Sequence, residues 1–113
     1  MNCKVVTTRK FEREFKHLSK KYRSLDDDYE MLIKELEQNP TTGDDLGDNI
    51  RKVRMAIASK NRGKSGGARV ITYHLLIDAE NAKIYLLTIY DKGKQDSISK
   101  EEIKLLKTII VHS

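Results

Sequence analysis

The chain has 113 residues, with 22 Lys and Arg against 17 Asp and Glu, a formal charge of +5 and 35% charged residues. That length suits one domain over residues 1–113, which buries about 65% of the surface its unfolded form exposes. A lone Cys3 excludes an internal disulfide and a multi-cysteine metal site; no stretch approaches the roughly 18 apolar residues of a membrane span, and the N-terminus lacks the apolar core of a signal peptide, so the expected location is cytoplasmic, with no membrane partner.

Lys4 to Thr7 predict a short first strand. Phe11, Phe15, Leu18 and Tyr22 then recur at helical spacing behind Thr7 or Thr8 as the cap. Ser24-Leu25-Asp26-Asp27 resembles a capping box, and three aspartates sit where the positive end of a helix dipole favours them. Tyr29, Leu32, Ile33 and Leu36 form the apolar stripe of this second helix. It ends at Asn39-Pro40, because proline disfavours helical geometry in the residue before it. The short link between the two predicts an antiparallel helical hairpin.

From Ile50 the period changes to two: Val53, Met55 and Ile57 point one way, Lys52 and Arg54 the other. Ala68 to Ile77 and Ala82 to Tyr90 are β-branched and aromatic runs of the kind found in inner strands, joined by Asp78-Ala79-Glu80-Asn81. Ser97 or Ser99 opens a last helix through Ile103, Leu106, Ile109 and Ile110. The expected class is α+β, in the order β, α, α, β, β, β, α: a helical hairpin packed on a curved antiparallel sheet, with a C-terminal helix.

Charge is strongly polarised along this order. Leu25 to Asp48 carries nine acids against Lys34 alone, whereas Arg51 to Arg69 carries seven cations and no carboxylate. Such a balance points to a polyanionic partner, RNA or DNA first. Lys52 and Arg54 would project from one strand face roughly 7 Å apart, a spacing suited to phosphate oxygens; a merely solvated cationic face is the plain alternative. The loop Ser59-Lys60-Asn61-Arg62-Gly63-Lys64-Ser65-Gly66-Gly67, followed by Arg69, adds charge and backbone freedom. Its Gly63-Lys64-Ser65 imitates a nucleotide-binding P-loop, but Ala58 stands where the first glycine belongs and a strand follows instead of a helix.

A second cluster, Tyr90-Asp91-Lys92-Gly93-Lys94-Gln95-Asp96, closes the last strand. If both clusters meet on one sheet face, they supply a phenol, cations and a carboxylate around a groove, enough to cleave RNA at a ribose 2′-hydroxyl with no metal or other cofactor. His17, His74 and His112 fall on separate elements and suggest no histidine pair.

The run VRMAIASKNRGKSGGARVITY, then IYLLTIYDKGKQDSISKEEI, with FEREFKHLSKKYRSLDDDYEMLIKELEQNP upstream, resembles the RelE/ParE superfamily of bacterial toxins, and within it the HigB-like RelE toxins. The resemblance covers nearly the whole chain and implies the fold order above. It implies a ribosome-dependent endoribonuclease (an mRNA interferase), acting on mRNA without metal and neutralised by a cognate antitoxin. Carried over by position, Lys52 and Arg54 match the basic residues of the second long strand, Arg69 the arginine opening the next, and Lys92 or Lys94 the basic residue after the last strand. RelE also uses a tyrosine at the start of its last helix, where this chain reads Ser97-Ile98-Ser99. HigB-type members use the end of the last strand instead, which makes Tyr90, Asp91 and Lys92 the candidates and leaves the general base open.

Together these readings assign Lys52, Lys60, Arg62 and Lys94 to RNA binding, Arg54, Lys64 and Arg69 to transition-state stabilisation, and Tyr90 with Lys92 to proton transfer. The competing classes are a ParE-like toxin that inhibits DNA gyrase and a nontoxic RNA-binding protein.

Overall fold

The computed structural model describes residues 2–94 and 97–111, with side chains through 108. Asp96, His112 and the side chains of Ile109 and Ile110, all named above, lie outside the described residues. The elements run β1 (Asn2–Thr7), α1 (Arg9–Lys21), α2 (Leu25–Gln38), β2 (Asp44–Gly47), β3 (Ile50–Met55), β4 (Ala68–Leu76), β5 (Asn81–Asp91) and α3 (Lys100–Val111). The five strands form one sheet in the order β1-β5-β4-β3-β2.

The α+β arrangement of a helical hairpin on a sheet, with a terminal helix, agrees with the expected class. Two details differ. β1 pairs in parallel with β5, from Asn2 opposite Asn81 to Thr7 opposite Leu86, so the sheet is mixed. In addition, β2 is an extra edge strand, with Asp44 opposite Lys52 and Asp45 opposite Arg51. All of its residues are exposed, so it lacks the alternation that announces a half-buried strand. It exists because the outer edge of β3 offers unpaired backbone groups and oppositely charged side chains.

Thr8 links the first strand to the first helix. Its side chain accepts the Phe11 N–H at 3.2 Å, capping α1, and donates to the Leu86 carbonyl at 2.9 Å. Where β1 ends, Glu14 takes over the open edge of β5, accepting from the Thr88 hydroxyl at 2.7 Å and the Ile89 N–H at 3.3 Å. The helix stripes meet as read from their spacing: Phe11, Leu25, Leu32 and Leu36 are buried with Val53, Met55, Ile57, Val70, Ile84 and Leu86. Each such side chain contributes about 1.5–3 kcal/mol of burial. Phe15 meets Tyr29 edge-on, ring centres 5.0 Å apart, and locks α1 to α2.

On the other sheet face α3 covers Ile50, Ile71, Leu87 and Tyr90 with Leu106, so the face that carries Lys52 and Arg54 is open only in part. A side-chain cap forms at this helix: Ser99 accepts the Glu102 N–H at 3.1 Å. Ser24 forms none and has a different task, described below. Among the described residues no helix is long and apolar enough to cross a membrane.

Candidate functional site

Strand register decides which of the candidate residues meet. Arg54 lies opposite Arg69, and Arg69 lies opposite Tyr90, so the three occupy adjacent positions on β3, β4 and β5 and share the α3 face. Directly opposed side chains in such ladders start about 4.5–5.5 Å apart. One rung on, Lys52, Ile71 and Thr88 follow in the same order. Two arginines and a phenol from sequence-distant segments therefore converge on one patch.

The two arginines differ in freedom. Arg69 is only 5% exposed, and its guanidinium donates to the carbonyls of Lys64 at 3.0 Å, Ala68 at 3.1 Å and Ser65 at 3.1 Å. It is fixed in place by the loop it follows, and two of its five donors are left for other partners. Arg54 is exposed, with no side-chain hydrogen bond or ion pair to any described residue. Like charges opposed across a ladder repel, so an anion between them would relieve that repulsion.

Tyr90 is 8% exposed, and its hydroxyl is buried without a partner among the described residues. Burial pushes its pKa up, Arg69 opposes that and Glu102 adds to it. The phenol therefore stays protonated through the neutral range and can donate. It borders a cleft of about 220 Å³ shared with Glu14, Thr88, Ile98 and Glu102.

Asp91 lies one residue further along β5 and faces the opposite way. It is opposite Ala68, on the hairpin side, so the expected grouping of Tyr90 and Asp91 around one groove does not occur. The Asp91 carboxylate receives Lys60 Nζ at 2.7 Å, the Gly93 N–H at 2.9 Å and the hydroxyl of Tyr22. Burial alone would raise its pKa, but the Lys60, Tyr22 and Gly93 hydrogen bonds and the Lys60 charge outweigh that and hold it at about 2. Lys60 is thus committed to Asp91 and points away from the arginine patch.

The glycine-rich connection between β3 and β4 is tethered throughout. Asp28, turned inward from the first turn of α2, accepts the Ala58 N–H at 3.2 Å. Ser24 accepts the Ser59 N–H at 2.9 Å and donates to Asp28 at 2.8 Å. Two short 3-10 turns, Ala58–Lys60 and Lys64–Gly66, carry the chain across, with Asn61 at φ 59 and Gly63 at φ 65 between them. Lys64 rests on Glu35 at 3.3 Å; both side chains are well exposed, so the pair is worth under about 1 kcal/mol. Lys92 ties the loop's exit to β5 through its N–H on the Gly67 carbonyl at 3.0 Å. Arg62 and Lys94 are exposed on the loop and beyond β5.

Against known families, residues 3–113 match the one described as the RelE toxin of the RelE / RelB toxin-antitoxin system. The chain belongs to the RelE toxin family. As a RelE-family toxin it has an antitoxin partner. Tyr22, Ser24 and Asp28 are the residues of this RelE-family site that sequence reasoning missed as positioning groups. Ser24 and Asp28 carry the signature of a helix start, and nothing local marks them as anchors of a loop 35 and 30 residues on. His17 is exposed on α1 and His74 sits in β4, so the two lie on separate elements.

Proposed function

We propose that this RelE-family chain is an endoribonuclease that cuts mRNA on the ribosome, using protein groups alone. The observation that carries the reading is the Arg54–Arg69–Tyr90 row: two cations and a protonated phenol on three adjacent strands. In the proposed reaction the ribose 2′-oxygen forms a bond to phosphorus as the bond to the 5′-oxygen breaks, leaving a cyclic phosphate and a 5′-hydroxyl. Arg54 and Arg69 carry the charge that builds on the phosphorane oxygens. Tyr90 donates its proton to the departing 5′-oxygen, and Lys92 is the candidate for receiving the 2′ proton.

Lys52, Arg62 and Lys94 grip the flanking backbone. Lys64 joins the transition-state group by exchanging its weak exposed pair with Glu35 for a phosphate. Lys60 contributes by holding the loop against Asp91. Mapping transcript ends after induction tests the proposal: new 5′ ends within codons, absent for Arg54→Ala, are expected. Growth arrest with intact transcripts and gyrase-linked DNA breaks would overturn it in favour of a ParE-like action.

A further inference from the structure

The helix α1 carries a second cationic surface that the cleavage reaction does not use. Arg9, Arg13, Lys16 and Lys20 follow one another at steps of four, three and four residues and are all exposed. That spacing sets them in a row one turn apart, about 5–6 Å between neighbours, over roughly 16 Å of helix. Among the described residues none of the four is in an ion pair. Glu12, at helical spacing from Arg9 and Lys16, lies among them and accepts the Thr7 hydroxyl at 2.5 Å, so the row keeps four cations against one carboxylate; Glu14 is bound to Lys10 at 2.7 Å and to the edge of β5.

We propose that this row docks the sugar-phosphate backbone of base-paired RNA. Three observations choose that partner. The aromatic residues of α1 face inward, Phe11 buried and Phe15 packed on Tyr29, so the row has no ring on which an unpaired base can stack. The exposed large apolar residues, Met31, Leu46, Leu76, Ile77 and Leu105, all lie on other elements, so the row has neither the apolar core of a protein interface nor a face to insert into lipid. An RNA duplex presents the phosphates of both strands outward in a regular, densely charged array, which a rigid row of cations meets without reading sequence.

Arg13 and His17 also border a cleft of about 290 Å³ against Ile89 and Tyr90. The docked duplex therefore lies on the Tyr90 side of the proposed cleavage face. This inference rests on the proposed reading only in taking RNA as the polyanion.

The test is an anisotropy titration of the full chain with a blunt 20-base-pair RNA duplex, a 12-nucleotide uridine strand, anionic phospholipid vesicles and polyglutamate, across a salt series. For the variant Arg9→Gln/Arg13→Gln/Lys16→Gln/Lys20→Gln, duplex affinity should fall at least tenfold, and at least fivefold more than that for the single strand. Its salt slope should become shallower by about 3. The pair Arg13→Gln/Lys16→Gln should give about half the slope change. Unchanged duplex affinity, an equal loss for both RNAs, or a loss confined to vesicles or polyglutamate would overturn the inference. Because no cleavage enters the measurement, intact transcripts in the induction experiment would sink the nuclease reading and leave this one standing.

Discussion

Lys60 Nζ lies 2.7 Å from Asp91 Oδ1, with 14% and 4% of the two side chains exposed. This pair joins the middle of the cationic loop to the end of the last strand, and Tyr22 closes it from the C-terminus of α1. It uses one of the chain's many cations for architecture, and the loop's shape depends on it.

Replacing Asp91 with Ala should leave Lys60 unpaired above the Tyr22 ring and free the Tyr22 hydroxyl. Breaking a buried pair from one side costs about 3 kcal/mol or more. Urea denaturation should show that loss, and an unchanged midpoint would mean that the pair contributes nothing.

Acid should remove the same contribution. The folded pKa of Asp91, about 2, lies below the ordinary 3.8, so the unfolded chain binds the extra proton first. The stabilisation, about 2 kcal/mol, is complete above pH 4 and is lost as pH falls towards 2. Stability measured over that window should fall in the parent chain, with a flatter profile in Asp91→Asn.

Gly67 is set by close approach. A Cβ there would overlap the Met55 carbonyl oxygen and sit 2.9 Å from the Ile57 backbone nitrogen. Gly67→Ala should therefore lower stability by about 2 kcal/mol through displaced backbone. Gly63 has open space around it, but its φ of 65 with ψ of −165 is a conformation that essentially only glycine adopts, so Gly63→Asn should lose about 1–3 kcal/mol through backbone strain. Thermal midpoints of both variants should fall, and an unchanged midpoint for either would remove the constraint argued for that glycine.

Arg54→Ala and Arg69→Ala should separate charge from scaffold. Each should slow RNA cleavage by about 10² to 10³, the loss expected for one electrostatic donor. Arg54 is exposed and has no partner among the described residues, so its removal should change stability by under about 0.5 kcal/mol. Arg69 also holds three carbonyls, so its variant should be less stable as well. Equal stability in the two would argue against Arg69 as the loop's anchor.

Tyr90→Phe deletes a hydroxyl that has no partner among the described residues. Stability should be unchanged or slightly higher, since a buried orphan group is lost. Cleavage by single-turnover assay should nonetheless fall; a fully active Tyr90→Phe chain would assign the leaving-group proton elsewhere.

Local patterns were enough to find α1, α2, β3, β4, β5 and α3, because Phe11, Phe15 and Leu18, or Val53, Met55 and Ile57, report their own periodicity to any reader of the chain. The same alternation put Lys52 and Arg54 on one face, and the position of Arg69 at the head of the next strand brought it opposite Arg54. What the chain could not reveal by itself was partnership. β2 has no buried side chain to announce it and forms only because β3 offers an edge. Lys60 and Lys64 both read as loop cations aimed at RNA, one to bind it and one to stabilise the transition state, yet one is locked on a buried carboxylate 31 residues away and the other rests on an exposed glutamate of α2. Tyr90 and Asp91 are neighbours in sequence and sit on opposite faces of the sheet. Periodicity is a short-range property of the backbone, whereas the pairing of a charge is settled by which distant segment folds against it, and only the packed sheet and hairpin decide that.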